Sequence, residues 1–405
     1  MGDELDKIFD SFDKNNIFKD KSFLQSKYTP EDIPHREKEI TQIASILAPV
    51  LRGEKTSNLF LYGNTGTGKT LSIFKVKEAL EKRMLKNIET GSELKIQYLN
   101  CKLKQVSDTE YRILAAIIRQ LGGEVPATGL PTQSVYTKFI EIIEEKKQVV
   151  VLILDEVDQL VKKISNNFLY NLTRLNSELS HSQISLVGIS NDLTFLENMD
   201  PRVKSSLSEE EIIFSPYNAL QIQDILVKRV EGAFKKGVLE GGVVSKCAAY
   251  AARESGDARR ALDLLRVSGE LAERRGEKKV TIKHIDEAKS KIERDKILDL
   301  IGSHPKQFQI VLNSIISISE EKKGTPFFTG DVYHHYQKFC KQYRSEPLTQ
   351  RRVGDIIQEF DMLGILNVRV ISKGRGGRMR EIKLGLSEPL LAKAKEIINS
   401  GLNYN

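Results

Sequence analysis

Residues 58–75 read NLFLYGNTGTGKTLSIFK. Leu59 to Tyr62 predict a short buried strand, and Gly63, Asn64, Thr65, Gly66, Thr67, Gly68, Lys69 and Thr70 then satisfy G-x-x-x-x-G-K-[ST]. The glycines let the backbone turn its N–H groups inward around an anionic phosphate, where a side chain would stand in the way. Leu71, Ile73, Phe74 and Val76 interleave with Lys75 and Lys77 in a helix whose positive end faces the same anion. In such a loop Lys69 reaches the β- and γ-phosphates of a nucleotide and the Thr70 hydroxyl ligates Mg²⁺. Strand, loop and helix occur together, which separates this motif from a chance glycine-rich turn.

Outward from the loop the pattern stays α/β. A strand is predicted over 94–100, helices over 111–121 and 133–145, and between the helices lies LGGEVPATGLP, residues 121–131. Its Gly and Pro content marks an exposed connection. The run from Gln148 to Leu154 is almost wholly aliphatic, as in a strand buried on both faces of a parallel sheet, and it ends in Asp155 and Glu156. Downstream of a P-loop, Asp155 is placed to hold Mg²⁺ and Glu156 to polarise an attacking water. A strand over 184–190 ends at Asn191, which reads either as a γ-phosphate contact or as a cap. Arg202, in the stretch DPRVKSS at 200–206, is either a surface charge or an arginine finger supplied in trans, and a last strand follows over 211–214.

The chain has 405 residues, enough for two or three domains, with 40% hydrophobic and 29% charged residues. Its longest apolar run, 149–154, is too short to span a bilayer, and no secretory leader is apparent. Cys101, Cys247 and Cys340 lack metal-ligand spacing and read as reduced thiols of a cytoplasmic protein. With 62 Lys and Arg against 55 Asp and Glu, the net charge of +7 permits a polyanionic partner without requiring one.

Residues 1–25 form a polar arm with scattered Phe9, Phe12, Phe18 and Phe23, expected to pack onto the body only in places. The segment YTPEDIPHRE, from Tyr28 through Pro30, His35 and Arg36, is a proline-bounded entry to a helix. After Tyr217 the pattern is helical: 220–230, 243–253, 258–275 and 282–292. Arg259 and Arg260 lie in the first turn of the third of these, where the helix dipole disfavours cations. A bound anion or a plain ion pair would account for them.

Beyond position 295 helices are predicted over 306–319 and 329–343, and a third begins after Thr349 as N-cap. Strands over 366–372 and 378–384 flank Lys373, Gly374, Arg375, Gly376 and Gly377. Three helices and a glycine-tipped hairpin outline a winged helix-turn-helix. Between positions 341 and 383 ten Lys and Arg stand against five Asp and Glu. Gln350, Arg351 and Arg352 fall in the first turn of the third helix, where a recognition helix meets bases and phosphates. Lys373, Arg375, Arg378 and Arg380 suit backbone or minor-groove contact at the wing. A protein-docking module is the other reading.

Taken in order, the P-loop, Asp155-Glu156, Asn191, Gly256-Asp257-Ala258-Arg259 and the winged helix resemble an AAA+ ATPase, more narrowly the archaeal replication initiators related to the origin recognition complex and its helicase-loading partner. The resemblance implies an α/β base domain with a parallel sheet over 1–215, an all-α lid over 216–295 and a winged helix over 296–405. It implies ATP or ADP with Mg²⁺, an adenine pocket from Tyr28, Pro30, His35 and Arg36 with Tyr217 and Leu71 nearby, Asn191 as sensor 1, Arg259 as sensor 2 and Arg202 as finger. It places Pro126, Thr128, Gly129 and Leu130 in a second DNA-contacting loop beside Thr349, Gln350, Arg351, Arg352, Lys373, Gly374, Arg375, Gly377, Arg378 and Arg380. The partners implied are double-stranded origin DNA, the replicative helicase and a paralogue or second copy, with no membrane and a cytoplasmic, nucleoid-associated location. A branch-migration helicase, a clamp-loader subunit and an ATP-dependent transcriptional regulator share parts of this plan and stay open at this point.

Overall fold

Strands β1 (Leu59–Tyr62), β2 (Glu93–Asn100), β3 (Gln148–Asp155), β4 (Gln183–Ser190) and β5 (Glu210–Ile213) form one parallel sheet in the order β2-β3-β4-β1-β5. They belong to a computed structural model that describes residues 16–85, 93–102, 109–126, 129–164, 166–195, 210–322, 325–372 and 378–403, with Glu197, Met199, Pro201, Lys204 and Ser205. The chain divides into two units, 1–285 and 286–405.

Every residue of β3 is buried, and its side chains alternate between two cores. Val149, Val151 and Ile153 join Leu59, Leu61, Ile73 and Val76 beneath helices α1 (Glu37–Leu47) and α2 (Lys69–Met84). Val150, Leu152 and Leu154 join Phe60, Ile113 and Phe139 beneath α3 (Glu110–Gln120), α4 (Thr132–Glu144), α5 (Val157–Lys163) and α6 (Asn166–Arg174). Burial on both faces is why the strand reads as a continuous aliphatic run. The register pairs Asn100 with Asp155, Asp155 with Ile189, and Tyr62 with Ser190. One carboxyl edge of the sheet therefore presents the P-loop, the two acids and Asn191, where open parallel sheets hold their ligands.

The first unit continues through α7 (Ala219–Ala233), α8 (Val243–Glu254) and α9 (Ala258–Arg274) to the start of α10 (Ile282–Ser303), whose residues from 286 on belong to the second unit. Asn218 caps α7 by accepting from the Gln221 amide, and Asp257 caps α9 by accepting from the Arg259 amide at 2.8 Å. The helix expected over 282–292 runs on to Ser303 through Glu293, Arg294, Asp295 and Lys296, so position 295, expected as a domain limit, lies inside it. Nothing in that charged stretch breaks a helix, and Pro305 follows only after its end.

In the second unit α11 (Lys306–Glu321), α12 (Thr329–Gln342) and α13 (Gln350–Met362) pack with a three-stranded antiparallel sheet of β6 (Phe327–Phe328), β7 (Leu366–Ser372) and β8 (Arg378–Leu384), in the order β6-β8-β7. Ile310, Ile315, Tyr336, Ile357, Phe360 and Ile382 sit in its core. The helices and hairpin follow the sequence reading closely. Strand β6 and the closing helix α14 (Glu388–Asn403) are additions to it.

Candidate functional site

Strand β1 delivers the chain into the P-loop, and α2 leaves it from Gly68, whose φ of +95° suits only glycine comfortably. A Cβ at Gly68 would stand 2.8 Å from the Tyr217 hydroxyl. At Gly66 the constraint is tighter: a Cβ would stand 1.6 Å from Asp257 Oδ1, and the Ala258 amide reaches the Gly66 carbonyl at 3.4 Å. The entry to α9 thus lies directly on the P-loop. Burial raises the Asp257 carboxyl above its ordinary range.

Lys69 is 5% exposed, and its Nζ donates to the carbonyls of Gly63 (2.7 Å) and Asn64 (2.9 Å) and to Asn191 Oδ1 (2.9 Å). Burial pulls its ammonium down to about 8. An anion beside it would favour the charged form and raise it again.

Across the loop, Asp155 Oδ2 accepts from Thr70 Oγ1 at 2.9 Å and from the Tyr98 hydroxyl at 2.8 Å, while Oδ1 accepts from the Glu156 amide at 2.9 Å. A hydroxyl and a carboxylate oxygen side by side are the donor set a hard divalent cation takes, usually with waters retained. Burial and Asp155 together raise the Tyr98 phenol. Glu156 turns the chain into α5 with a φ of +56°, rare for a non-glycine residue, and its carboxylate lies 3.5 Å from Lys102 Nζ. Asp158, 3% exposed, accepts from Ser190 Oγ and the Asn191 amide, both at 3.4 Å, and so braces the end of β4. Sequence reasoning passed over Tyr98 and Asp158 as functional residues. The signal for Asp158 is a third acid two places beyond Glu156, one that needs a buried partner.

A cavity of about 820 Å³ joins these groups. Its wall includes Thr65, Gly66, Thr67, Gly68, Lys69, Thr70, Leu71, Asp155, Glu156, Asn191, Tyr217, Arg259, Tyr28 and Pro30, all anticipated as site residues. Gly63 and Asn64 serve from behind, through the carbonyls that hold Lys69. His35 and Arg36 were expected in the base pocket, and neither lines the cavity. Arg36 is buried beneath the loop, donating to the Thr67 carbonyl at 2.7 Å, to Glu39 at 2.8 Å and to the Ser215 carbonyl, with its guanidinium 4.1 Å from the Tyr217 ring centroid. His35 reaches Asp224 at 3.0 Å. The two first-turn arginines of α9 part ways: Arg260 pairs with Glu254, and Arg259 faces the cavity. Arg202 lies outside the described residues.

In the second unit Thr349 Oγ1 caps α13, accepting from the Arg352 amide at 3.4 Å, and Gln350, Arg351 and Arg352 are exposed in the first turn. Arg352 lies 3.8 Å from Asp355. Arg380 departs from the expectation of a wing contact, because its guanidinium turns inward to the Gly354 carbonyl at 3.0 Å and to Gln358 at 3.3 Å, tying β8 to α13. Lys373, Gly374, Arg375 and Gly377 lie outside the described residues, and Arg378 enters through its backbone, opposite Ser372. In the loop before α4, Pro126, Gly129 and Leu130 are exposed, Gly129 has a φ of +108° and the Pro126 carbonyl accepts from the Tyr111 hydroxyl at 2.8 Å. Thr128 lies outside the described residues.

Family models match most of the chain: one described as "AAA domain" over residues 52–195, a "Cdc6 AAA+ ATPase-type lid domain" over 223–290 and a "CDC6, C terminal winged helix domain" over 299–394. An "ORC1-type DNA replication protein" of Pyrococcus abyssi is 50% identical over 389 residues, covering 95% of this chain and 91% of that protein. An "ORC1-type DNA replication protein 1" of Archaeoglobus fulgidus is 50% identical over 390 residues, with 96% and 93% covered. Among solved structures, the Aeropyrum pernix ORC1 protein in complex with DNA superposes with a TM-score of 0.79 at 44% identity, covering 93% of this chain and 96% of that one. No described helix is long and apolar enough to cross a membrane.

Proposed function

This chain belongs to the archaeal ORC1/Cdc6-type family of AAA+ DNA replication initiators, and on that premise we propose that it is a nucleotide-gated switch that grips duplex origin DNA and helps load the replicative helicase. The observation that carries the reading is the single cavity in which the P-loop, Asp155, Glu156 and Asn191 of the sheet meet Arg259 of the helical region. When bound, MgATP supplies the scissile anhydride and the charge that Lys69, Thr70 and Asp155 are arranged to hold. Lys69 orients the phosphate end, and Asn191, already bonded to Lys69, stands beside it. Glu156 accepts the proton of an attacking water. Arg259 comes from another element than the loop, so its contact with a phosphate ties the angle of the helical region to the nucleotide held.

Hydrolysis by the isolated chain is slow in this reading, because an arginine finger in trans, with Arg202 as its candidate, comes from a second protein. A paralogue or a second copy on DNA would bring it. The exposed first turn of α13 reads the major groove, and the loop around Gly129 and Leu130 makes a second contact. The Aeropyrum relative in complex with DNA supports this side of the proposal. Two contacts on one duplex favour bending or unwinding of the site. The role implies a cytoplasmic, nucleoid-associated protein.

The test is footprinting on genomic fragments from the source organism, with ADP or a non-hydrolysable ATP analogue, beside Arg351→Ala. Protection of discrete repeated sites near a replication start, shortened in the variant, is the expected result. Uniform protection of any duplex would refute origin recognition.

A further inference from the structure

The arm that precedes the first helix is anchored to the helical region rather than to the sheet. Glu273 of α9, almost fully buried, accepts from the Ile17 and Phe18 amides at 3.1 and 3.5 Å through Oε1 and from Lys21 Nζ at 2.8 Å through Oε2. The Lys19 amide donates to the Ala233 carbonyl at the end of α7, and the Lys235 amide returns to the Ile17 carbonyl. Two small residues make room for aromatic rings. A Cβ at Gly269 would stand 2.4 Å from the Phe18 ring, and one at Gly232 the same distance from the Phe23 ring.

From this anchor the chain passes along the cavity. Phe23 packs on Tyr28 at 4.6 Å, and Arg229 of α7 covers the other part of that pair, its guanidinium 4.4 Å from the Tyr28 centroid and donating to the Phe23 carbonyl at 3.4 Å. Residues 25–34 line the cavity throughout, and at the far end Lys75 of the P-loop helix holds the Glu31 carbonyl at 2.7 Å and Asp32 at 3.1 Å. The segment is a strap pinned at one end to α9 and at the other to α2.

We propose that docking of residues 16–24 on the helical region, with Glu273 as positioning residue, sets nucleotide affinity by fixing the strap wall of the cavity. The proposal rests on the nucleotide reading of that cavity. A wall fixed at both ends holds a ligand that a wall fixed at one end lets go, and the coupling is reciprocal, so a bound nucleotide must tighten the docked arm in turn.

Affinity is read with a fluorescent ATP analogue on the full chain. Glu273→Ala is expected to raise Kd about tenfold, mainly through faster release. Glu273→Gln, which keeps an oxygen for the Ile17 amide, is expected to lose less. In the wild-type protein, hydrogen exchange at the Ile17 and Phe18 amides is expected to slow when the ATP analogue is added, a response that needs no variant to fold. Failure of the wild-type protein to bind the analogue would overturn both readings. Unchanged affinity in Glu273→Ala beside loss in Lys69→Ala, or exchange at Ile17 and Phe18 indifferent to nucleotide, would overturn the strap alone.

Discussion

In the nucleotide cavity the functional side chains are bonded to one another, whereas in the first turn of α13 they stand in solvent on the helix that carries them. Lys69 is held by Asn191 and two carbonyls, and Asp155 by Thr70, Tyr98 and its own chain. Gln350, Arg351 and Arg352 are exposed. On the proposed function, the difference follows from what each region addresses. A small anion is held by a few buried groups whose desolvation is offset before it arrives, and such groups act strongly because little water screens them. A duplex is met by many exposed cations whose contribution is released counterions, each modest and each weakened by salt.

The comparison can be broken most decisively at Lys69. Lys69→Ala should abolish nucleotide binding in a fluorescence titration, and retained affinity would mean the cavity is not organised around that ammonium. Glu156→Gln should keep nucleotide affinity while turnover falls by roughly 10²–10⁴, the range for loss of a general base; undiminished hydrolysis would remove it from the water-activating role. On the exposed side Arg351→Ala should cost only about 1–3 kcal/mol of DNA affinity if it reads a base, or lower the salt slope by about one if it meets a phosphate. A collapse of binding as complete as that of Lys69→Ala would erase the contrast.

Two smaller effects sharpen it. Arg380→Ala, which removes contacts to Gly354 and Gln358, should destabilise the fold by about 1 kcal/mol on thermal melting, an effect on scaffold rather than on reading. Asp331 accepts from the Phe328 amide at 2.9 Å, and that bond, with Lys322 beside it, holds its carboxyl below the ordinary value. A depressed carboxylate stabilises the fold in full above its unfolded value and loses that contribution as pH falls through the folded one. The difference in stability between wild type and Asp331→Asn, followed by melting at falling pH, should therefore shrink in the acid range.

The sheet, the P-loop and the winged hairpin were legible because each rests on a local pattern. An aliphatic run such as 149–154, short and opening on three valines, reads as a buried strand rather than a buried helix, and strands 366–372 and 378–384 announce their turn with glycine. Other features depended on distant partners. Phe18 and Phe23 announce an arm that packs in places, but Glu273 meets Ile17 across 256 positions, so nothing near either residue says where it docks. Arg36 is a pocket residue only by the family resemblance, and here its guanidinium is spent on backbone carbonyls, Glu39 and the Tyr217 ring. Helix α10 was cut short at 292 because its apolar spacing lapses over 293–296, although no breaker lies there. Helix α14 did carry a signal: Leu390, Ala394, Ile398 and Leu402 recur at helical spacing and are buried.

One contact changes how interchangeable the parts of this chain are. The carboxylate of Asp257 fills the space a methyl group would need at Gly66, a position the P-loop signature leaves open to any residue. Loop and helical region are therefore matched parts, like a key cut for one lock. A helical region grafted from a relative whose loop has a larger residue here would need its own loop brought along with it, and a chimera that ignored the pair would keep the motif and lose the fit.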